Sequence, residues 1–489
     1  MSRTPFLWRR LCLHTRYGVL AWCLVLAGCA TPVPQALTPP IVPKSFVGQV
    51  ASAEQVWPAP DWWQAFGSPE LSDFIGKAQA ANRNLAVAAA RVREARAQTT
   101  IQRAALFPQL NLQAQGQRLA PGSTQSTSGP SSSAGNSFGL TLGASYEVDV
   151  WGLARSNLRA AEESLKSAHF AQQAVALAVT ANVADTYFSV LTLRKRVVIA
   201  NEEIAAINGI LDTIKLKVST GKSSHLDLAQ EQAQLESVKA ELPVLEEQEL
   251  EARIALAVLL GQPPERLEIR TSTDEAVRPP VVAPGLPSDL LLRRPDVAQA
   301  EASLASSHAN LDAARAAFLP QFALSGNDGF ASTSIGALLH GPSVAWDYGG
   351  SLLQTVFDGG KLVGQKALAR ATQEELIASY QLAVLNAFAD VETALGQVKN
   401  DSEAENHLGR EVDAAREAFR ISELQYRQGT TELLTVLQSQ QTLFSAEDQL
   451  AQISLARMQA VVHLYEALGG GWMEQPGERT QFTFSYVHQ

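Results

Sequence analysis

Apolar residues recur in residues 228–259 at alternating steps of three and four positions. Eight of ten such positions are apolar: Leu228, Leu235, Val238, Leu242, Leu245, Ala252, Leu256 and Leu259. Such steps give a period of 3.5 residues, which keeps one helix packed against another in a coiled coil. The pattern therefore predicts a long coiled-coil helix, and Pro243 is expected to kink or interrupt it.

The same pattern returns 208 residues further along the chain. Its apolar positions there are Val436, Leu443, Ala446, Leu450, Ile453, Ala460, Leu464 and Ala467. The segment 104–116 likewise returns as 316–329. Similarity at a fixed offset is typical of an internal repeat, so we predict two structural repeats, at 61–270 and 271–470.

Each repeat has the same predicted order: a first helix, two short strands, a very long helix and a return helix. The first helix is predicted at about 70–105 and about 288–318, and the strands at about 106–118, 136–149, 319–330 and 344–357. Gly221 and Gly429 mark the turns between long and return helices, and Gly261 and Gly469 mark the ends of the return helices. A helix from residue 152 to about 218 would be about 100 Å long.

The predicted strands alternate between apolar and polar positions. In the second strand one face carries Phe138, Leu140, Leu142, Ala144, Tyr146 and Val148, and the other carries small and polar residues. This alternation is typical of a membrane β-barrel strand, although a half-buried soluble sheet has the same period. The long Ser/Gly-rich loop 120–136 favours the barrel. Four strands cannot close a barrel, and open edges are not tolerated in lipid, so a barrel requires an oligomer.

The N-terminus has the features of a lipoprotein signal peptide. Residues 1–28 contain four arginines and no acid, and the apolar segment 17–28 is too short to span a membrane. The sequence "LAGC" (26–29) matches the lipobox of bacterial lipoproteins, which implies cleavage before Cys29 and acylation (palmitate) of that residue. A coincidental cysteine and a twin-arginine leader are the alternatives. A proline-rich tether follows at 29–60, and Ala30, which replaces an inner-membrane retention aspartate, favours the outer membrane.

Charge and motifs exclude several classes of function. Without the leader the chain has 35 basic and 49 acidic residues, and it has no basic run, so nucleic acid is not an expected partner. The chain has no H-E-x-x-H, no G-x-S-x-G, and no C-x-x-C after the leader. We therefore expect no enzyme, no metal and no cofactor other than the covalent lipid.

Three segments resemble one known family. Residues 61–98, 285–322 and 355–361 ("TVFDGGK") resemble the NodT-type branch of the TolC family, the outer-membrane efflux lipoproteins. The resemblance implies a homotrimer with a twelve-stranded β-barrel in outer-membrane lipid and a long α-helical barrel in the periplasm. It also implies two partners, a periplasmic adaptor and an inner-membrane pump of the RND type or similar.

The function implied by the resemblance is that of a passive exit duct for drugs or other small molecules, as in multidrug resistance. An exit duct of a type I protein-secretion system is the alternative within the same architecture. A periplasmic adaptor is disfavoured because it has a single helical hairpin, and an enzyme is disfavoured for want of a catalytic site. The C-terminal tail, 471–489, has no assigned role.

The resemblance also assigns candidate site residues at the turns. Gly221 and Gly429 would lie at the periplasmic tips that contact the adaptor, and the turn 426–438 would narrow the pore. Family members carry aspartates where this chain has Thr435 and Gln438. The candidate constriction residues are Tyr426, Thr435, Gln438, Asp227, Gln230 and Glu432. Tyr426 is either part of a hydrogen-bond network at the tip or a packing residue of the coiled coil.

Overall fold

The computed structural model describes residues 58–119, 135–274, 277–280, 293–470 and 472. The predicted leader, Cys29, the tether up to residue 57, the loop 120–134 and all of the C-terminal tail except Trp472 lie outside the described residues. The structural statements that follow concern the described part of the chain.

The described residues form two structural repeats, each with the same order of helices and strands. The helices are α1 (Pro69–Ala81), α2 (Arg83–Ala104), α3 (Leu153–Ser219), α4 (His225–Leu259), α5 (Pro295–Ala316), α6 (Lys361–Gln428) and α7 (Leu433–Ala467). The strands are β1 (Gln109–Leu119), β2 (Gly135–Val148), β3 (Gln321–Ser332) and β4 (Val344–Leu353). Short 3-10 turns occupy Trp62–Phe66, Pro264–Arg266, Ile335–Ala337 and Gly341–Ser343.

The four strands form one antiparallel sheet in the order β1-β2-β3-β4. The central pair, β2 with β3, joins the two copies, with Leu142 opposite Asp328 and Gly143 opposite Asn327. Directly opposed residues point to the same side of a sheet. The register therefore collects most of the large apolar side chains on one face, with Leu353 as an exception, and leaves mainly amides, hydroxyls and glycines on the other.

The first predicted helix of copy one is in fact two helices, so the single helix at about 70–105 was wrong. Asn82 separates α1 from α2 with an extended backbone, at φ −61° and ψ 131°. Its side-chain oxygen accepts hydrogen bonds from the N–H groups of Asn84 and Leu85, and its Nδ2 donates to the Leu259 carbonyl at 2.7 Å. Asn82 thus caps α2 and binds the end of α4. The periodicity of the apolar residues gives no information about this long-range contact.

The long helices of the two copies have nearly equal lengths. Helices α3 and α6 contain 67 and 68 residues, and the return helices α4 and α7 contain 35 each. Pro243 lies inside α4 without interrupting it. Pro243 is exposed, so water can reach the carbonyl that a proline leaves unbonded. Val238 and Leu245 on either side are buried in the seam, which is the row of positions at steps of three and four along which a return helix packs on its long helix.

Helix α3 contains a stretch that is apolar enough to cross a membrane by length and composition, but half of that stretch is buried inside the protein. The burial arises in the main core cluster, where both copies meet the segment before α1. Trp62 stacks on Tyr465 of α7 with ring centres 4.9 Å apart, and Phe66 contacts Phe188 of α3. The apolar stretch of α3 is therefore explained by packing between helices.

Candidate functional site at the hairpin tips

The two helical hairpins turn at related glycines. Gly221 has φ 74° and Gly429 has φ 80°, a left-handed conformation that glycine adopts without steric cost. A Cβ at either position would meet no atom within 4 Å. Glycine is therefore required at both turns by backbone conformation and not by crowding, and the surface around each turn is open.

Asp227 is bound within its own turn. Its carboxylate accepts hydrogen bonds from the Ser223 hydroxyl at 2.6 Å and the Ser224 N–H at 3.0 Å, and Ser224 Oγ accepts the Asp227 N–H at 3.0 Å. This reciprocal pattern is a capping box at the start of α4. The hydrogen bond from Ser223 is the main cause that lowers the pKa of Asp227. Its charge consequently stabilises the turn.

Tyr426 lies in an apolar cluster between the two hairpins. It is buried with Ile210 and Ile214 of α3 and Val436 of α7. Lys217 Nζ lies 3.6 Å from the centre of the Tyr426 ring and also donates to the Tyr426 carbonyl. Within the described residues the buried Tyr426 hydroxyl makes no hydrogen bond of normal geometry, although the Ser223 side chain lies within reach of it. Its geometry is that of a packing residue with a cation over the ring.

The remaining candidate pore residues are exposed. Thr435 and Gln438 lie three positions apart on α7, and Gln230 on α4 and Glu432 at the start of α7 are also exposed. Residues three apart share one face of a helix. The structure therefore places Thr435 and Gln438 together on one exposed helical face that begins beside Glu432 at the N-cap. Asp227 lies in its own cap, apart from this exposed set.

Polar residues also occur at four positions of the two seams, and three of them have a partner across the hairpin. Glu249 accepts from Arg194 Nε at 3.0 Å, Ser439 Oγ lies 2.6 Å from Ser422 Oγ, and Arg457 pairs with Glu405. Glu231, the fourth, is fully buried, and neither of its carboxyl oxygens has a hydrogen-bond partner in the described part of the chain.

Burial raises the pKa of Glu231 from 4.5 to about 7, because a carboxylate without a partner is poorly solvated there. Glu231 follows the turn at Gly221 by ten positions and is an electrostatic neighbour of Tyr426. The sequence reasoning missed it as a functional candidate. The sequence feature that could have identified Glu231 is its charge, because the neighbouring positions of the seam are occupied by leucine and valine.

The fold and these hairpins define the class of the protein: a sheet with one apolar face continues into long paired helices, as in outer-membrane channels that extend into the periplasm. The chain belongs to the family described as outer membrane efflux protein, whose model matches residues 74–262 and 286–470. The two matched segments correspond to the two copies of the repeat. The predicted fold class is thereby confirmed.

Curated and solved relatives agree with this family. The chain is 38% identical over 470 residues to the pyoverdine export outer membrane protein OpmQ of Pseudomonas putida, covering 95% of this chain and 98% of that protein. It is 28% identical over 462 residues to the probable outer membrane lipoprotein SilC of Salmonella typhimurium, covering 92% and 97%. The solved outer-membrane channel OprN is similar with a TM-score of 0.84 at 28% identity, covering 91% of this chain and 100% of that one.

The predicted class of function is confirmed as well. The chain is the outer-membrane channel of an efflux system, located in the outer membrane and extending into the periplasm, and its family performs transport and not catalysis. The tip residues and the boundaries of the repeats are not tested by these similarities and remain predictions.

Proposed function

We propose that three copies of this chain form a passive duct that receives small molecules from an inner-membrane pump, of the RND type or similar, through a periplasmic adaptor. The observation that carries the proposal is the matched pair of hairpins. Their long helices differ by one residue in length and end in open turns at Gly221 and Gly429. Lys217 near the first turn contacts Tyr426 near the second, and two neighbouring exposed turns are a suitable surface for a helical adaptor.

The narrowest part of the duct is proposed to lie beside these turns. Thr435, Gln438 and Gln230 supply amides and a hydroxyl there, and Glu432 is the exposed acid of the set. Asp227 contributes through the capping box that fixes the first turn. Tyr426 contributes by packing the second hairpin against α3. This constriction depends on shape and packing more than on acidic side chains.

Cross-linking tests the tips directly, because the sequence has no cysteine after Cys29. Lys222→Cys introduces one thiol at the exposed first turn. We expect a thiol-reactive cross-linker to join this variant to a periplasmic adaptor in cells. Ser334→Cys is the matched control, because its exposed loop follows β3 at the opposite end of the sheet from the helices. Equal cross-linking of both variants, or of neither, would argue against docking at the tips.

Acylation at Cys29 is proposed on two grounds: the "LAGC" sequence and the lipoprotein relative SilC. Acyl chains would attach the proline-rich tether to the membrane independently of the strands. Mass spectrometry of the mature N-terminal peptide tests this. We expect the mass of an acylated cysteine in the wild type and an unmodified peptide in Cys29→Ser.

For the substrate we propose a small molecule, with a siderophore as the first candidate. The OpmQ proteins named for pyoverdine export share 38% and 36% identity with this chain, and relatives named for antibiotic or solvent efflux each share 31%. Deletion of the gene should lower the siderophore in the culture medium, and a plasmid copy should restore it. Unchanged siderophore with loss of a secreted protein would instead support the type I secretion alternative.

A further inference from the structure

Helix α7 packs on α3 along one face, and two polar contacts fix the register between these helices. Arg196 Nε donates to Asp448 Oδ1 at 2.6 Å, and Arg196 Nη2 donates to Asp448 Oδ2 at 3.2 Å. Further from the turns, Gln459 Nε2 donates to Ser189 Oγ at 3.3 Å. All four side chains are half-buried. These contacts therefore belong to a packed helix pair inside one chain, called here the α3–α7 contact.

The internal repeat gives this contact a counterpart. Helices α3 and α6 begin 208 positions apart, and so do α4 and α7, so α6 corresponds to α3 and α4 corresponds to α7. Within the chain, however, α4 packs on α3, and α6 packs on α5 and α7. The counterpart contact, α6 with α4, is not among the main helix contacts of the described residues. It can therefore form only between two copies of the chain.

The uncovered side of α4 has a 3.5-residue period of its own. Steps of four and three positions select a row of residues that are all exposed in the single chain, called here the α4 face: Ala233, Ser237, Ala240, Val244, Glu247, Glu251, Ile254 and Val258. Ile254 is 40% exposed, whereas its counterpart Val462 on α7 is 0% exposed, because Val462 is packed in the main core cluster. A mostly small and apolar row with this period is expected to pack on another helix.

Helix α6 has a matching row at the positions that correspond to the α7-facing side of α3. This row, called here the α6 face, carries Thr393, Gln397, Asn400, Ala404, His407, Glu411, Ala414 and Ala418; Ala404 is half-buried and the others are exposed. In the counterpart register Gln397 corresponds to Ser189 and faces Glu251, so an amide N–H can donate to a carboxylate. Alanines on both faces, such as Ala240 and Ala404, allow the two helices to approach closely.

Charge complementarity favours a second copy as the occupant of the α4 face. Burial raises the pKa of Glu203 on α3, and the nearby Glu447 on α7 raises it further by repulsion. The counterparts of these two acids are Glu411 on α6 and Lys239 on α4, which have opposite charges. In the single chain Lys239 pairs with Glu236 at the surface. The repulsion inside the chain thus corresponds to an attraction between copies.

The Arg196–Asp448 pair has no charged counterpart. Ala404 occupies the position that corresponds to Arg196, and Ala240 occupies the position that corresponds to Asp448. The side chains of the pair are 18% and 29% exposed. If α7 of one copy packed on α6 of another, Asp448 would face Ala404 and Arg196 would lose its partner. Removing one partner of a largely buried ion pair is strongly destabilising, so such an exchange is disfavoured.

We propose that the α4 face is the docking surface for the α6 face of a second copy, in the register in which α7 packs on α3. We propose further that the Arg196–Asp448 pair prevents the two kinds of contact from exchanging. This inference rests on the proposed assembly of three copies and deepens it by assigning the residues that meet. Repeated from each copy to the next, the contact closes the assembly and leaves no α4 or α6 face uncovered.

Disulfide cross-linking tests the register, because the sequence has no cysteine after Cys29. In oxidised membranes the variant Glu251→Cys with Gln397→Cys should give covalent dimers and trimers that a reductant converts to monomers. The control is Glu251→Cys with Ala404→Cys, which moves one thiol by seven residues, or about 10 Å along α6. A disulfide cannot span that shift, so no product is expected. The single-cysteine variants measure any contribution of Cys29.

A transplanted ion pair gives an independent measurement. Ala404→Arg alone places an unpaired guanidinium in the contact between copies and should lose most of the SDS-resistant trimer. Adding Ala240→Asp recreates the Arg196–Asp448 pair at the counterpart positions and should restore the trimer. Adding Ala233→Asp instead supplies the same charge seven residues away on the α4 face, and the trimer should stay lost.

The outcomes separate the register from the assembly. A cross-link in the Ala404→Cys control but not in the designed pair, or a failure of Ala240→Asp to restore the trimer better than Ala233→Asp, would overturn the register. SDS-resistant trimers of the Glu251→Cys, Gln397→Cys variant without a cross-link would show that the copies meet through other faces, with the assembly of three copies intact. A monomeric wild-type chain in the membrane would overturn the assembly and this inference together.

Discussion

Glu231→Gln gives the sharpest test of the seam at the tip. The substitution replaces a fully buried carboxyl, without a partner in the described residues, by an amide of the same shape. Burial raises the pKa of Glu231 from 4.5 to about 7, so the folded chain binds this proton more tightly than the unfolded chain. Below about pH 4.5 both states are protonated, and the carboxyl has no pH-dependent effect.

As the pH rises from about 4.5 to about 7, the unfolded state gains stability by ionising while the folded state still holds its proton. A difference of about 2.5 pKa units corresponds to about 3 kcal/mol per chain at about 1.4 kcal/mol per unit. The wild type should therefore lose up to about 3 kcal/mol of unfolding free energy across this range, and the loss is complete above about pH 7. Glu231→Gln has no titratable group at this position, so its unfolding free energy does not fall in this way.

The assay is thermal unfolding of the detergent-solubilised trimer, followed by circular dichroism at about pH 5 and about pH 8. The variant should unfold at a higher temperature than the wild type at the higher pH and at a similar temperature at the lower pH. Comparing variant with wild type at each pH cancels the titration of Glu203, whose pKa is also raised to about 7. Glu246→Gln, an exposed acid of the same helix, is the control. The reasoning is refuted if the difference between Glu231→Gln and wild type is the same at both pH values.

Three further predictions concern the return helices, the seams and the anchor. Gly261→Ala should prevent stable folding, because its Cβ would lie 2.3 Å from the Ala81 carbonyl oxygen. Gly221→Ala should cost only about 1–2 kcal/mol, because an alanine there is strained by its left-handed backbone but meets no other atom. Trimer yield and the thermal midpoint of unfolding distinguish the two variants. Arg194→Ala should cost about 1–3 kcal/mol, because it removes the hydrogen bonds that Arg194 donates to Glu249 and to the carbonyls of Ile269 and Thr271, while Arg253 stays 3.7 Å from Glu249. Denaturant unfolding measures this cost, and an unchanged unfolding free energy would contradict it. Cys29→Ser, exported through a cleavable leader, should still form some trimer in the membrane fraction; complete loss of membrane association would mean that the lipid, and not the strands, holds the protein there.

The hairpins were the most predictable part of the fold. A 3.5-residue period sustained over many turns specifies both a helix and a packed neighbour, so the long and return helices were found with their turns at Gly221 and Gly429. The strands were found within a few residues because alternation is a local signal. The break at Asn82 was missed because its cause is a hydrogen bond to Leu259, 177 residues away.

The candidate site was predicted less completely than the fold. Thr435 and Gln438 are exposed on one helical face, as their spacing alone would give, but their role in a constriction stays a prediction. The capping role of Asp227 is also local, because Ser223 and Ser224 lie within four residues of it. The burial of Glu231 depends on how α4 packs on α3. In the sequence, Glu231 was visible only as a charged residue at a seam position where an apolar residue is expected.

The sequence by itself determined the repeat, the helical hairpins, the alternating strands and the resemblance to outer-membrane efflux channels, because each rests on short periodicities or on segments that recur along the chain. Only the tertiary structure decided which polar seam residues have partners and which residues of different strands share a face of the sheet. It also showed why Gly261 and Gly469 are glycines: a Cβ there would lie 2.3 Å from the Ala81 oxygen and 2.0 Å from the Arg293 oxygen. These features join residues far apart in sequence, and local patterns do not encode the distances between them.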